Sequence, residues 1–331
     1  MSINEIAKAL NVSKSTVSQV INGKAEQGRI SKALAKRIMD YVNEIGYKPN
    51  ALAKSLATGK SNTIGLIVEN MGDSFFGPIA LYIEEELRKH GYYVFYSSTL
   101  GDKVLAKQIL QAMVSQKVEG IIISPTIGLE KQIEKLHKTK FPLVIFDRKS
   151  GDAPANYVGT NNYESSQKAV NHLLGNNYKH IAYITIESSQ SQMLDRERGY
   201  IDVVNENNLQ PYLLKIPFNQ SKEGRVNAIY EFLIENKDID AIYFSTNYLC
   251  VSGMSAIQKV SLKLKYGIIV FDDHEVFDLL KPRISCIRQP LLAISNAIVN
   301  NLLGQLKGGD FTLKEEIIDS ELIVRKSSLK K

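Results

Sequence analysis

The sequence predicts an α/β protein in two parts: a small all-α headpiece, then a core of two lobes, each a doubly wound parallel sheet. Three observations carry that prediction. Apolar residues at helical spacing, bracketed by cap residues, fill the first 48 positions. From Thr63 onward, short apolar runs alternate with amphipathic segments, the pattern of parallel strands covered by helices on both faces. The 331-residue chain leaves roughly 270 residues for that alternation, more than one sheet usually holds, so it divides into two lobes with a crevice between them.

In the headpiece, helices are expected over residues 3–10, 13–21 and 31–45. Ser2 with Glu5 forms a capping box, Ser13 and Ser31 stand at the next two starts, and Gly23 and Gly46 follow as stop signals. Pro49 is followed by a small-residue run, 50–57, and a polar stretch, 58–62. That run is short of the length at which helix nucleation repays its cost, so it is expected to order only against a partner. The expected division is therefore a headpiece of residues 1–48, a hinge of 49–62 and a core of 63–331.

In the core, the first strand candidate is 64–68, followed by a helix at 78–89. Further strand candidates are 92–96, 120–124, 143–146, 180–185, 241–245 and 267–271. No short internal repeat or low-complexity tract is evident.

Charge is divided unevenly along this frame. The first 60 residues hold ten basic and four acidic side chains, while the other 31 basic and 31 acidic residues cancel, so the whole net charge of +6 lies in the headpiece. Such a localised field suits a polyanion, since neutralised phosphates release counterions, and it equally suits a merely soluble surface.

Residues 6–22, IAKALNVSKSTVSQVIN, place a helix, a tight turn and a second helix in seventeen positions. Ala7, Leu10, Val12, Val17 and Val20 can form the internal seam, leaving Lys14, Ser15, Thr16, Ser18 and Gln19 to a partner. A short helix rich in Ser, Thr, Lys and Gln packs poorly but hydrogen-bonds well to base edges and phosphates. That is the pattern of a helix-turn-helix recognition helix, and an ordinary helical hairpin with a polar face is the alternative.

The motifs decide between them. Ile6-Ala7, Val12-Ser13, Thr16-Val17-Ser18, Val20-Ile21-Asn22-Gly23, Ile45-Gly46-Tyr47-Lys48-Pro49-Asn50 and Ala53-Lys54-Ser55-Leu56 occur in order. Ile64-Gly65-Leu66, Phe75-Phe76 and Phe271-Asp272-Asp273 extend the series through the chain. The sequence resembles the lactose/galactose repressor family of bacterial transcription factors. The resemblance implies a periplasmic-binding-protein-like core, a double-stranded DNA partner with a near-palindromic operator, a homodimer and a small-molecule effector in the crevice. It also implies that Lys14, Ser15 and Gln19 read bases in the major groove, with Thr16, Ser18 and Asn22 against the backbone.

Ala53, Lys54 and Leu56 match the family's hinge helix, whose leucine wedges into the minor groove. A leucine ending a small, polar run suits that role, because unstacking a base step is offset by the bend it permits. Packing of Leu56 on the core is the alternative. Gln19 stands where an arginine is usual and Lys54 replaces another arginine; because Gln pairs with adenine and Arg with guanine, the operator is expected to depart from the common half-site.

Ligands of open α/β sheets bind beyond the carboxyl ends of strands. Phe75, Asp147, Arg148, Thr246, Asn247 and Asp272 all fall there, and the resemblance adds Arg196 as a ligand-holding arginine and supports Asp272. Arginine, carboxylates, amides and an aromatic face suit a polyhydroxylated ligand such as a sugar or sugar derivative. The structural alternatives are Asp147 as a turn cap, Arg148 and Arg196 as partners of acids between the lobes, and Phe75 as core. Ser74 replaces a common proline, and Asn161 and Asn247 replace common aspartates; lost negative charge at Asn247 points toward a different or acidic sugar.

Other classes find less support. No dinucleotide fingerprint follows a strand, Gly28-Arg29-Ile30 lacks the Lys and hydroxyl of a phosphate loop, and Gly253 begins a helix interior rather than a nucleophile elbow. His90, His137, His172, His180 and His274 are scattered, so no metal or catalytic residue is assigned and no cofactor is expected; acids in the crevice leave an acid/base pair open. Cys250 and Cys286 lack metal or disulfide spacing and are expected reduced and buried. Without a signal-like start or an apolar run of membrane length, the expected setting is the cytoplasm and nucleoid, without membrane association, rather than that of a periplasmic binding protein.

Overall fold

A computed structural model describes residues 2–47, 60–260 and 266–330. The chain divides into two compact units, Met1–Ser61 and Asn62–Lys331.

The first unit holds α1 (Ile3–Ala9), α2 (Lys14–Ile21) and α3 (Lys32–Glu44). Each starts where a side chain satisfies an orphan amide: Ser2 Oγ accepts from Glu5 N at 3.4 Å, Ser13 Oγ from Thr16 N at 3.1 Å and Ser31 Oγ from Leu34 N at 3.3 Å. Gly23 and Gly46, at φ 70° and 62°, supply the left-handed residues after α2 and α3. Ile6, Ala7, Leu10, Val17, Val20, Ile38 and Val42 form its core. Arg37 Nη2 donates to Leu10 O at 2.8 Å, which ties α3 to the end of α1.

The second unit contains two six-stranded sheets. Lobe 1 uses β1 (Thr63–Val68), β2 (Tyr93–Ser98), β3 (Gly120–Ile123), β4 (Leu143–Phe146), β5 (Asn156–Thr160) and β11 (Glu315–Ile318), in the order β11-β5-β4-β3-β1-β2. Lobe 2 uses β6 (Ile181–Ile186), β7 (Tyr212–Ile216), β8 (Ala241–Phe244), β9 (Gly267–Phe271), β10 (Ser285–Arg288) and β12 (Glu321–Ile323), in the order β12-β10-β9-β8-β6-β7. The two orders are the same, strand for strand. All pairings are parallel except that of β12 with β10.

Helices cover both faces of each sheet. On lobe 1, α4 (Phe76–Lys89) and α12 (Leu291–Gly308) pack on Ile64, Leu66 and Val68, while α5 (Lys103–Ser115) and α6 (Glu130–Lys138) pack on Ile67, Ile121 and Ile123. On lobe 2, α7 (Asn162–Gly175) and α8 (Ser191–Glu206) lie against Tyr183, Tyr243 and Phe271, and α9 (Lys222–Glu235) and α10 (Asn247–Val260) against Ile184 and Phe244. Where both faces are buried, each side chain contributes about 1.5–3 kcal/mol whichever way the pleat points it, so interior strands such as β3, β4, β8 and β9 are continuous apolar runs. The short α11 (Val276–Leu279) and a 3₁₀ turn at Lys326–Ser328 complete the elements.

The chain passes between the lobes three times, after β5, after β10 and after β11, and these passages are fastened together. Thr160 Oγ1 donates to Gln289 Oε1 at 3.1 Å, Asn161 Nδ2 to Asp319 Oδ1 at 2.6 Å and Ser320 N to Asn161 Oδ1 at 2.9 Å. An aspartate at 161 would instead face the Asp319 carboxylate, so the asparagine suits this chain. Cys250 and Cys286 are buried and form no disulfide. Among the described residues no helix is long and apolar enough to cross a membrane.

Candidate functional site

On the headpiece, Lys14, Ser15, Gln19 and Asn22 are exposed along α2, and Thr16 and Ser18 are half-buried beside them. The serine that starts this helix is a hub: Ser13 Oγ lies 2.7 Å from Ser15 Oγ and 2.8 Å from Thr16 Oγ1, besides accepting from Thr16 N. Asn22 Nδ2 closes the last turn on Ser18 O at 2.8 Å. Gln19 rests its side-chain amide on Gly28, where any Cβ would collide with its Oε1. Ala53, Lys54 and Leu56 lie outside the described residues.

The second constellation lies between the lobes, where strand ends of both sheets converge. Phe75, Asp147, Arg148, Arg196, Thr246, Asn247 and Asp272 line one cleft. Asp147 and Asp272 directly follow the matching strands β4 and β9, both left-handed at φ 66° and 72°. Each still donates its amide to the neighbouring strand, to Val158 O at 3.1 Å and Ile287 O at 3.0 Å. Aspartate tolerates this conformation better than most residues, and it turns both carboxylates into the cleft.

Arg196 sits in the second turn of α8, which begins at Ser191. Gly199 on the same helix allows α8 to approach α7 closely; a Cβ there would lie 2.5 Å from Tyr163 O. That approach brings Arg196 Nε to Asn162 Oδ1 at 2.8 Å, while Nη1 donates to Ser245 O at 2.8 Å and stands 3.6 Å from Asp272 Oδ2. Its guanidinium carbon is 3.5 Å from the centre of the Phe271 ring. Burial raises the Asp272 carboxyl above its ordinary range, against the opposing pull of Arg196 and of Gln289, whose Nε2 donates to Asp272 at 2.6 Å.

Arg148 is buried in lobe 1 with Nε 2.9 Å from Asp147 Oδ2 and Nη1 2.6 Å from Glu69 Oε2. Burial works against its charge, but the two carboxylates more than offset that, so the guanidinium stays more basic than usual. Both arginines thus pair with acids and line the cleft at once, and Phe75 is at once core and cleft wall.

Several lining residues were not singled out in the sequence: Glu69 and Asp73 after β1, Gln190 and Gln192 after β6, Phe218 after β7 and Gln289 after β10. The strand-end rule reaches all of them once β7 and β10 are known. Asp73 Oδ1 accepts from Phe75 N at 2.7 Å, and its carboxyl is raised by burial, reinforced by Glu69 and Asp147. The lobes meet around the cleft through Lys149 N to Ser191 Oγ at 2.9 Å and Asn247 Nδ2 to Ser74 Oγ at 2.8 Å. No cluster of metal-ligating side chains is found among the described residues.

Comparison with known proteins bears on both constellations. Residues 2–50 match the family described as "Bacterial regulatory proteins, lacI family", and residues 61–307 match "Periplasmic binding proteins and sugar binding domain of LacI family". The chain belongs to the LacI family. Among LacI-family relatives, the HTH-type transcriptional repressor PurR of Aliivibrio fischeri (strain ATCC 700601 / ES114) is 28% identical, over 98% of this chain and 97% of its own. The ribose operon repressor of Haemophilus influenzae is 26% identical, over 98% of each chain. The crystal structure of the Lac repressor dimer bound to operator and the anti-inducer ONPF has a TM-score of 0.86 at 20% identity, covering 100% of this chain and 99% of that one. A periplasmic binding protein/LacI transcriptional regulator from Alkaliphilus metalliredigens QYMF, complexed with D-xylulofuranose, has a TM-score of 0.72 at 24% identity, covering 81% and 100%. These structures establish the fold. The protein is a LacI-family DNA-binding transcriptional regulator with a ligand-binding domain, and its relatives are repressors rather than enzymes.

Proposed function

We propose that this regulator is a homodimeric repressor of a near-palindromic operator, controlled by a sugar or sugar derivative bound between the lobes, and that it acts in the cytoplasm on the nucleoid. Residues 1–48 serve as the DNA-binding domain, 49–62 as the hinge and 63–331 as the effector and dimerisation domain. Lys14, Ser15 and Gln19 read base edges, Ser15 exchanging its bond to Ser13 for one to DNA, while Thr16, Ser18 and Asn22 meet the backbone. Ala53, Lys54 and Leu56 engage the minor groove.

The observation that carries the effector part is convergence. Seven side chains picked from strand ends and motifs, drawn from both lobes, line a single cleft. A ligand there touches both lobes, so it binds their alternative arrangements unequally and shifts the balance between them. Which arrangement it prefers decides whether it induces or corepresses. The dimer is supported by an apolar strip on and beyond the edge strand β2, where Tyr93 is 72% exposed and Phe95, Tyr96, Leu100 and Val104 are exposed with it.

The test is a randomised-operator selection with purified protein, followed by titration of the selected operator with sugars. A palindromic logo and sugar-dependent affinity are expected. Sugar turnover without sequence-selective DNA binding overturns the proposal. Leu56→Ala should weaken operator binding and reduce the DNA bend with the core still folded; unchanged affinity and bend remove the wedge.

A further inference from the structure

The polar groups of the cleft are unequally divided between donors and acceptors. Glu69, Asp73, Asp147 and Asp272 line it, opposed by Arg148 and Arg196. Arg148 is already held by Asp147 and Glu69, and Arg196 by Asn162, Ser245 O and Asp272. Two carboxylates are therefore in excess. Two more polar atoms in the lining are buried without a hydrogen-bond partner: Oε1 of Gln192, a residue 5% exposed, and Oγ1 of Thr246, 8% exposed. The first can only accept, and so can the carboxylates.

From this division we infer that the effector carries no anionic group, and that it is a polyol or unphosphorylated sugar presenting hydroxyl donors to Asp73, Asp272 and Gln192. The inference rests on the reading of the cleft as a sugar site and narrows it. A hydroxyl donates to each unsaturated acceptor and still accepts from Thr246, so the buried polar atoms are satisfied together. A phosphate or carboxylate brings further acceptors into a cleft whose guanidiniums are already engaged, and its charge lies beside the surplus carboxylates. The lost aspartate at Asn247 does not reverse this, because Glu69 and Asp73 restore the negative charge from the other lobe.

The experiment is calorimetric titration and thermal shift of the full-length protein against a matched panel: D-ribose, D-glucose, D-galactose and D-mannose, their monophosphates, and the corresponding uronic acids. The expected result is binding by at least one neutral sugar, with its phosphate and acid counterparts weaker by on the order of a hundredfold. In Asp73→Asn, which removes one surplus charge but keeps the side chain's shape, that gap should narrow about tenfold. A phosphate or uronate that binds as well as its neutral parent overturns the inference and leaves the sugar reading standing. A panel in which nothing binds removes the sugar reading and the inference with it.

Discussion

Ser74 of lobe 1 and Asn247 of lobe 2 share a 2.8 Å hydrogen bond across the cleft. Both stand where the family resemblance implies another residue, a proline and an aspartate. The two departures form a pair: a hydroxyl that accepts and an amide that donates, joining the lobes at the mouth of the site.

Ser74→Ala deletes that bridge without altering the residues proposed to hold the effector. A net hydrogen bond of about 0.5–1.5 kcal/mol moves the balance of open and closed lobes roughly two- to tenfold toward open. Small-angle scattering of the unliganded variant should report a larger radius of gyration, and effector affinity should fall by a similar factor. An unaltered radius and affinity would show that the bond does not set the lobe arrangement.

Arg196 has a structural duty as well as a proposed ligand contact. Arg196→Ala leaves the buried Asp272 carboxylate without its cation and Asn162 Oδ1 without its donor, and should destabilise the protein by on the order of 3 kcal/mol. Adding Asp272→Asn removes the stranded charge and should recover part of the loss. Chemical denaturation of both singles and the double measures the coupling; strictly additive losses would contradict it.

Asp73 is expected to cost stability at neutral pH. Burial raises its folded carboxyl above its unfolded value, so the folded state binds the proton more tightly. That stability is present below the unfolded pKa of about 3.9 and is lost as pH rises through the folded value. Asp73→Asn should therefore raise Tm at pH about 7 and lose that advantage toward pH about 4. A lower Tm at neutral pH would mean that the charge is stabilising.

Asp273 carries the opposite sign. Burial acts to raise it, but hydrogen bonds from Arg325 and Arg288 prevail and hold its carboxyl at about 2. Arg325 grips it with Nη1 and Nη2, each at 2.9 Å. Its contribution is complete above the unfolded value of about 3.9 and disappears as pH falls through about 2. An Asp273→Asn variant should show a shallower fall in stability over that interval than the parent, and parallel profiles would remove the assignment.

Gly28 positions a proposed base reader. A Cβ at this position collides with Gln19 Oε1, and the flexible glutamine tip is what yields. Gly28→Ala should fold normally but alter base preference at the one symmetric operator position read by Gln19. In a Gln19→Ala background the same change should have no further effect. A randomised-operator selection returning the parental logo for Gly28→Ala would show that the contact does not matter.

The sequence was most legible where local chemistry acts alone. Ser2, Ser13 and Ser31 mark helix starts because their oxygens accept from the otherwise unpaired amides that follow. Interior strands such as β1, β3 and β9 are apolar on both faces and announce themselves. The strands β5, β10, β11 and β12 are only three to five residues long, with polar or charged ends, and they pair with chain distant in sequence. The edge strand β7, YLLKI, has a half-buried pattern without clean alternation. Their absence from the sequence reading hid Phe218 and Gln289, which depend on knowing where those strands end. Glu69 and Asp73 were hidden differently, since an acid in a loop after a strand reads as solvated until the opposite lobe is seen to cover it.

The threefold passage between lobes also bears on how the chain matures on the ribosome. Lobe 1 needs α12 for one face of its sheet and β11 for one edge, and both follow β6–β10 of lobe 2 in the chain. When the first 160 residues have emerged, they hold five strands with one helical layer incomplete. Completion must wait for synthesis to pass Ile318. Lobe 2 lacks only β12 and the C-terminal turn when α12 appears, and it is completed a few residues after lobe 1. Vectorial synthesis thus leaves both lobes unfinished until the last residues emerge, with the exposed β1–β5 sheet of the first-made lobe dependent on protection for the longer interval.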